Sequence, residues 1–195
     1  APHRSPARSA AAAATAVVAT GHSDGTVRLW PRRVARSGVV VRHTYNDADA
    51  PDGDADADLG AVVTLAGHRG GVTALAFDAA GLLLASGARD TDVVVWDVAR
   101  ERGLFRLRGH TAPVTALAWL ERARPAPRAL LLSASRDGLV KVWDPARQQC
   151  VQTVVGHRAE VLSVAVDPLG AVAYTGAADG KLRVWAVLPD GASAN

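Results

Sequence analysis

His68, Ser86 and Asp90 are the three residue types of a hydrolytic triad, in which a base draws the proton from a hydroxyl and a carboxylate orients the base. Asp90 and Asp92 bracket a single threonine in "GARDTDVVVWDV", a spacing that could also suit paired-carboxylate or metal chemistry. The same trio recurs, however. His110, Ser133 and Asp137 repeat it, and so do His157, Thr175 and Asp179. One preorganised centre is enough for an enzyme, whereas a repeat architecture needs the same brace in every unit. Recurrence therefore favours a structural role over nucleophilic catalysis.

Metal binding finds no support in the pattern. The chain has one cysteine, Cys150, and the unit-opening histidines lie 42 and 47 residues apart, far from zinc-ligand spacing. Six aspartates fall in "NDADAPDGDADADLG", residues 46–60, without the ordered glycine and glutamate of a calcium loop. They read as a solvated acidic insert. No phosphate-binding glycine loop occurs, and neither a cofactor nor a small-molecule substrate is expected.

The elements that must position these residues show in the repeats. Three segments open on Gly-His and close on a hydrophobic run into Trp: "GHRGGVTALAFDAAGLLLASGARDTDVVVWD", "GHTAPVTALAWLERARPAPRALLLSASRDGLVKVWD" and "GHRAEVLSVAVDPLGAVAYTGAADGKLRVW". A fourth, "AVVATGHSDGTVRLW", has only the last part of the unit. An Asp lies six residues before each Trp (Asp24 and Trp30, Asp90 and Trp96, Asp137 and Trp143, Asp179 and Trp185). A Ser or Thr lies four residues before each Asp: Thr20, Ser86, Ser133 and Thr175. The middle unit alone is lengthened, by "ERARPAPR", between its His and its Ser. A loop can grow there while the strands hold register.

Each unit predicts four short strands, exemplified by "VTALAFD", "LLLASGA", "VVVWDVA" and "GLFRLRG". Asp-Gly at 24–25, 137–138 and 179–180 predicts tight hairpin turns, since both residues tolerate positive φ. His22, in "TGHSDG", is assigned to a turn or rim and not to a brace. His3 is part of the flank.

Gly-His, Ser/Thr, Asp and Trp-Asp at these spacings resemble the WD-repeat family over about 16–31 and 61–187. The resemblance implies an all-β propeller, here about three and a half four-stranded blades. It divides the chain into an Ala/Arg-rich flank at 1–15, a partial propeller at 16–187 with the acidic insert at 46–60, and a tail at 188–195. It also implies that Trp96, Ser86, His68 and Asp90 form a buried hydrogen-bonded chain, with matching sets in the sister units and Thr20, Asp24 and Trp30 in the incomplete one. Trp30 is followed by Pro31 and Trp185 by Ala186 where the family often has Asp. Closed propellers take four to eight blades. Together with the absence of methionine, even at position 1, this predicts a fragment, an incomplete gene product or one ordered part of a larger assembly, ahead of a small closed ring.

Composition narrows the class further. Nearly half of the 195 residues are apolar, enough to bury a core, and no apolar run is long enough for a membrane helix. A lone cysteine excludes an internal disulfide framework. The N-terminal arginines and alanines resemble a transit peptide in composition, but the strand pattern from Ala16 onward marks them as a biased flank. The net charge of +3 hides an asymmetry, because outside the acidic insert 22 basic residues face 13 acidic ones. That surplus fits either a phosphate-binding surface or arginine filling ordinary surface positions.

"ASGARDTDVVVWDVARERGLFRLRGH" and "VKVWDPARQQCVQTVVGHRAEVLSV" resemble the N-terminal propeller of Dip-two/Utp-twelve proteins, subunits of the small-subunit processome. That likeness implies a non-catalytic scaffold in the nucleolus of the nucleus, beside other propeller proteins, pre-ribosomal RNA and the U-three small nucleolar RNA. Arg122, Arg124 and Arg128 of the long loop are candidates for contact with RNA or a partner. The competing reading is a substrate adaptor of a cullin-type ubiquitin ligase. That would favour Trp-Asp-x-Arg, but Arg100 and Arg147 come one residue late.

Overall fold

The computed structural model describes residues 16–32, 63–122, 128–167 and 172–186. Among them are fourteen strands and no helix. β1 (Ala16–Gly21), β2 (Thr26–Arg32) and β3 (Val63–Ala66) form one antiparallel sheet. β4 (Val72–Phe77), β5 (Leu83–Ala88), β6 (Val93–Asp97) and β7 (Arg102–Leu107) form the second. The third is β8 (Val114–Arg122), β9 (Arg128–Ser135), β10 (Leu139–Asp144) and β11 (Gln149–Val155). The last is β12 (Val161–Val166), β13 (Val172–Ala177) and β14 (Leu182–Ala186). These are the blades of a partial WD-repeat propeller, and β3 joins β2 across the acidic insert.

Alternation along the strands explains the stacking. In the second sheet Leu84, Val94 and Trp96 face Val27, Leu29 and Leu65 of the first. On its other face Ala85, Val93, Val95 and Leu107 meet Val114, Trp119, Leu131 and Trp143 of the third. Leu120, Leu130, Leu132 and Val142 then meet Ala173 and Trp185 of the fourth. Trp96, Trp143 and Trp185 are thus each a wedge against the preceding blade. Cutting such a buried indole to alanine costs roughly 3–5 kcal/mol.

β4, β8 and β12 pack against one another from sheet to sheet, which places them on the inner side of the arc. Each begins with a bulge against its neighbour, at Val72/Ala74, Val114/Ala116 and Val161/Ser163. The extra residue has a use in two of them. Thr73 Oγ1 donates to Val114 O at 2.5 Å, and Thr115 Oγ1 to Val161 O at 2.5 Å, latching each blade to the next. In the fourth sheet the corresponding residue is the exposed Leu162.

Candidate functional site

The site is built where two kinds of loop meet on one rim. Loops 67–71, 108–113 and 156–160 carry the opening histidines into the second, third and fourth blades. Turns 89–92, 136–138 and 178–181 carry the aspartates between the two middle strands of the same blades. Backbone bonds tie each turn to its loop: Arg89 N to Gly71 O at 2.9 Å, Arg136 N to Pro113 O at 3.0 Å and Ala178 N to Glu160 O at 2.8 Å. The glycine of Gly-His is needed for space. A Cβ on Gly67 or Gly156 would lie 2.6 Å from Cη2 of Trp96 or Trp185.

In the second blade Trp96 Nε1 donates to Ser86 Oγ at 2.8 Å, and His68 Nε2 lies 2.8 Å from the same oxygen. His68 Nδ1 is 3.1 Å from both oxygens of Asp90. Asp90 also accepts from the backbone N–H of Arg69 at 2.7 Å and of Asp92 at 3.2 Å. Burial pushes its carboxyl upward, yet these N–H groups and His68 outweigh that effect and hold it below the ordinary value.

The third blade repeats the geometry with Trp143 to Ser133 at 2.8 Å, His110 to Ser133 at 2.7 Å and His110 to Asp137 at 2.8 Å. Burial depresses His110, against the pull of Asp137. The fourth blade brings Trp185 and His157 each to 2.7 Å from Thr175 Oγ1. Asp179 stands back, 3.7 Å from His157, because Arg183 has entered between them. Among the described residues every buried side-chain N or O has a partner.

The first blade differs from the expected arrangement. Trp30 Nε1 donates to Thr20 Oγ1 at 2.9 Å, while Asp24 turns outward and accepts from Thr26 N and Oγ1 at 2.8 and 2.7 Å. His22 does open the β1–β2 turn, as its position predicts. The residue, however, is only 7 % exposed, and its Nε2 lies 2.9 Å from Thr20 Oγ1. It makes the contact that the opening histidine makes elsewhere. The usable signal was a histidine two residues past the strand threonine in a unit with no Gly-His opening.

Asp92 has a packing role that spacing did not reveal. Arg106 Nη1, on outer strand β7, donates to Asp92 Oδ2 at 2.6 Å, and Nη2 donates to Gly67 O. Asp92 thus pins the edge of its blade to the loop that opens it. Asp97 accepts from Arg100 N at 2.9 Å and from Arg100 Nη1 at 2.8 Å, holding the β6–β7 turn. Arg147 lies likewise near Asp144, at 3.6 Å. Arg122 and Arg128 are register partners at the ends of β8 and β9, on the rim away from the histidines. Arg124 lies outside the described residues. No three His, Cys, Asp or Glu side chains converge on a metal-sized site among the described residues.

A family model for a β-propeller, described as "Nucleolar protein 10-like, N-terminal domain", matches residues 4–185. The chain is 31 % identical over 120 residues to the APC/C activator protein CDC20 of Saccharomyces cerevisiae, covering 52 % of this chain and 20 % of that protein. It is 37 % identical over 82 residues to a probable cytosolic iron-sulfur protein assembly protein 1 of Aspergillus terreus, 42 % of this chain and 19 % of that one. It is 34 % identical over 110 residues to a ribosome biogenesis protein WDR12 homolog of Chlamydomonas reinhardtii, 56 % of this chain and 20 % of that one. The chain thus spans about a fifth of these relatives. Their names differ in activity, so likeness to them speaks for a shared repeat and not for a shared role.

Proposed function

This chain belongs to the family of nucleolar protein 10-like N-terminal propellers, and we propose on that premise that it is a non-catalytic scaffold of ribosome biogenesis. The scaffold reading is carried by one observation. The Trp–Ser/Thr–His contact recurs, at nearly the same distances, in three consecutive blades. A hydroxyl that already serves an indole and an imidazole, fully buried in Ser86 and Ser133, has no path to a substrate carbonyl. Each set closes a blade.

The assembly we propose is the small-subunit processome, with other propeller proteins, pre-ribosomal RNA and the U-three small nucleolar RNA as neighbours in the nucleolus. The nucleolar description of the family supports this, as does the ribosome-biogenesis name of the Chlamydomonas relative. The narrower likeness to Dip-two/Utp-twelve rests on residues 85–110 and 140–164, with 17–30 of the first unit beside them. The family matched over 4–185 is the nucleolar protein 10-like one, which supports the nucleolar setting and not that subunit identity. Affinity purification from nuclear extract tests the reading. Recovery of processome subunits and the small nucleolar RNA supports it, and recovery of cullin components in their place overturns it. Ester turnover abolished by Ser133→Ala with folding intact would restore the enzyme.

A further inference from the structure

The rim that carries the braces has its charges sorted by depth. Its carboxylates point inward: the Asp90, Asp137 and Asp179 side chains are 9 %, 5 % and 15 % exposed. Asp92 is taken up by Arg106. Arg69, Arg89, Arg108, Arg136, Arg158 and Lys181 on the same loops are all exposed. Within these loops six cations face five carboxylates, Asp24 of the first-blade turn evens the count, and Arg106 and Arg183 from the strands tip the rim positive. What a partner meets is decided by exposure, however, and the outer layer is arginine. Among the described residues of the rim only Asp24 and Glu160 interrupt it. Glu160 is 3.7 Å from Arg136 Nε, a loose and solvent-screened pair.

The cations sit on consecutive blades. Arg69 and Arg158 occupy the same place after the opening histidine, and Arg89 and Arg136 the same place in the turn. Tied turn to loop within each blade, they form one curved row. The loops contain no large aliphatic or aromatic side chain. Across the second and third blades a protein partner would find no apolar anchor and an unpaired base no aromatic face to stack on; Val155 and Leu182 are exposed beside the last loop and turn. Guanidinium groups without such companions suit phosphate oxygens, which they bind in pairs and without regard to sequence.

We propose that this rim binds the phosphate backbone of folded RNA, reading shape and charge rather than bases. The choice of RNA rests on the ribosome-biogenesis reading; the polyanion surface does not. The rim is opposite the one that carries Arg122 and Arg128.

The test is fluorescence anisotropy of the full 195-residue chain with two RNA duplexes of about 16 base pairs and unrelated sequence, titrated across salt. The logarithm of the affinity is expected to fall linearly with the logarithm of salt concentration. Arg89→Gln, Arg136→Gln and Arg158→Gln, singly and together, are expected to flatten that slope by about one per arginine. They should weaken both duplexes alike and leave the urea midpoint unchanged. An unchanged slope in the triple variant overturns the proposal. So does poly-glutamate binding the wild-type chain more tightly than RNA, which would mark an acidic protein partner. Loss of this binding with processome recovery intact removes the rim and leaves the scaffold; the converse result removes the scaffold and leaves the rim.

Discussion

Arg183 Nη1 stands 2.6 Å from His157 Nδ1, the atom that faces an aspartate in the second and third blades. A guanidinium can only donate, so Nδ1 of His157 accepts and its Nε2–H donates to Thr175 Oγ1. In the other two blades Nδ1–H donates to the carboxylate, and Nε2 takes the serine proton. The last brace runs its hydrogen bonds in the opposite sense, with the tautomer set by a strand arginine.

Acid should therefore loosen the third and fourth blades before any aspartate is protonated. Burial holds His110 and His157 below their ordinary value, and Arg183 presses His157 the same way. A histidine depressed by folding binds its proton more readily when unfolded. Its contribution is complete above the unfolded value near 6.5 and is lost as pH falls through it. Asp90 and Asp137 are also depressed, so their contribution persists until pH falls below about 3.8. Urea midpoints should drop between about pH 7.5 and about pH 5.5, and Arg183→Gln should shrink the drop. A midpoint flat across that window contradicts the assignment.

Ser86→Ala should cost about 2–3 kcal/mol, because it strands the Trp96 N–H and the His68 ring together in the core. Adding Trp96→Phe should then cost less than it does alone, by about 1 kcal/mol, since the indole N–H has already lost its acceptor. Strict additivity in urea denaturation would show that the two side chains do not share that hydroxyl.

Thr91→Gly should stabilise the protein. Thr91 has φ 70°, the left-handed conformation that Gly25, Gly138 and Gly180 adopt at the same place in the sister turns. A β-branched residue is strained there by about 1 kcal/mol. The urea midpoint is expected to rise with an unchanged slope, and a fall would show that the threonine side chain contributes more than the strain costs.

The strands and the Trp-to-Ser/Thr contact of every blade were legible because one spacing governs them, Ser or Thr ten residues before Trp. The aspartate between them, in contrast, meets its histidine only in the second and third blades. What spacing did not show lies between units. The Thr73 and Thr115 latches depend on bulges that are invisible in a hydrophobic pattern, although "VTALA" recurs in both units and changes to "VLSVA" in the third. Arg106 reaches Asp92 across a strand pair, and Arg183 displaces Asp179 within one. Both are ordinary charged residues in sequence, and only the sheet register brings them to their partners.

Gly87 and Gly176 occupy equivalent positions, yet alanine should be tolerated only at the second. A methyl group on Gly87 would overlap Val114, the first residue of the next inner strand, as one on Gly21 would overlap Val72. Such overpacking costs typically 1–3 kcal/mol. At Gly176 the added carbon would meet only Ser163 Oγ, an exposed hydroxyl that can rotate away. The surrounding face is apolar and open, with Tyr174, Leu182 and Val184 in register across it. Gly87→Ala should lower the urea midpoint and Gly176→Ala leave it nearly unchanged in this chain. Equal losses would mean that something packs on the fourth blade as Val114 packs on the second.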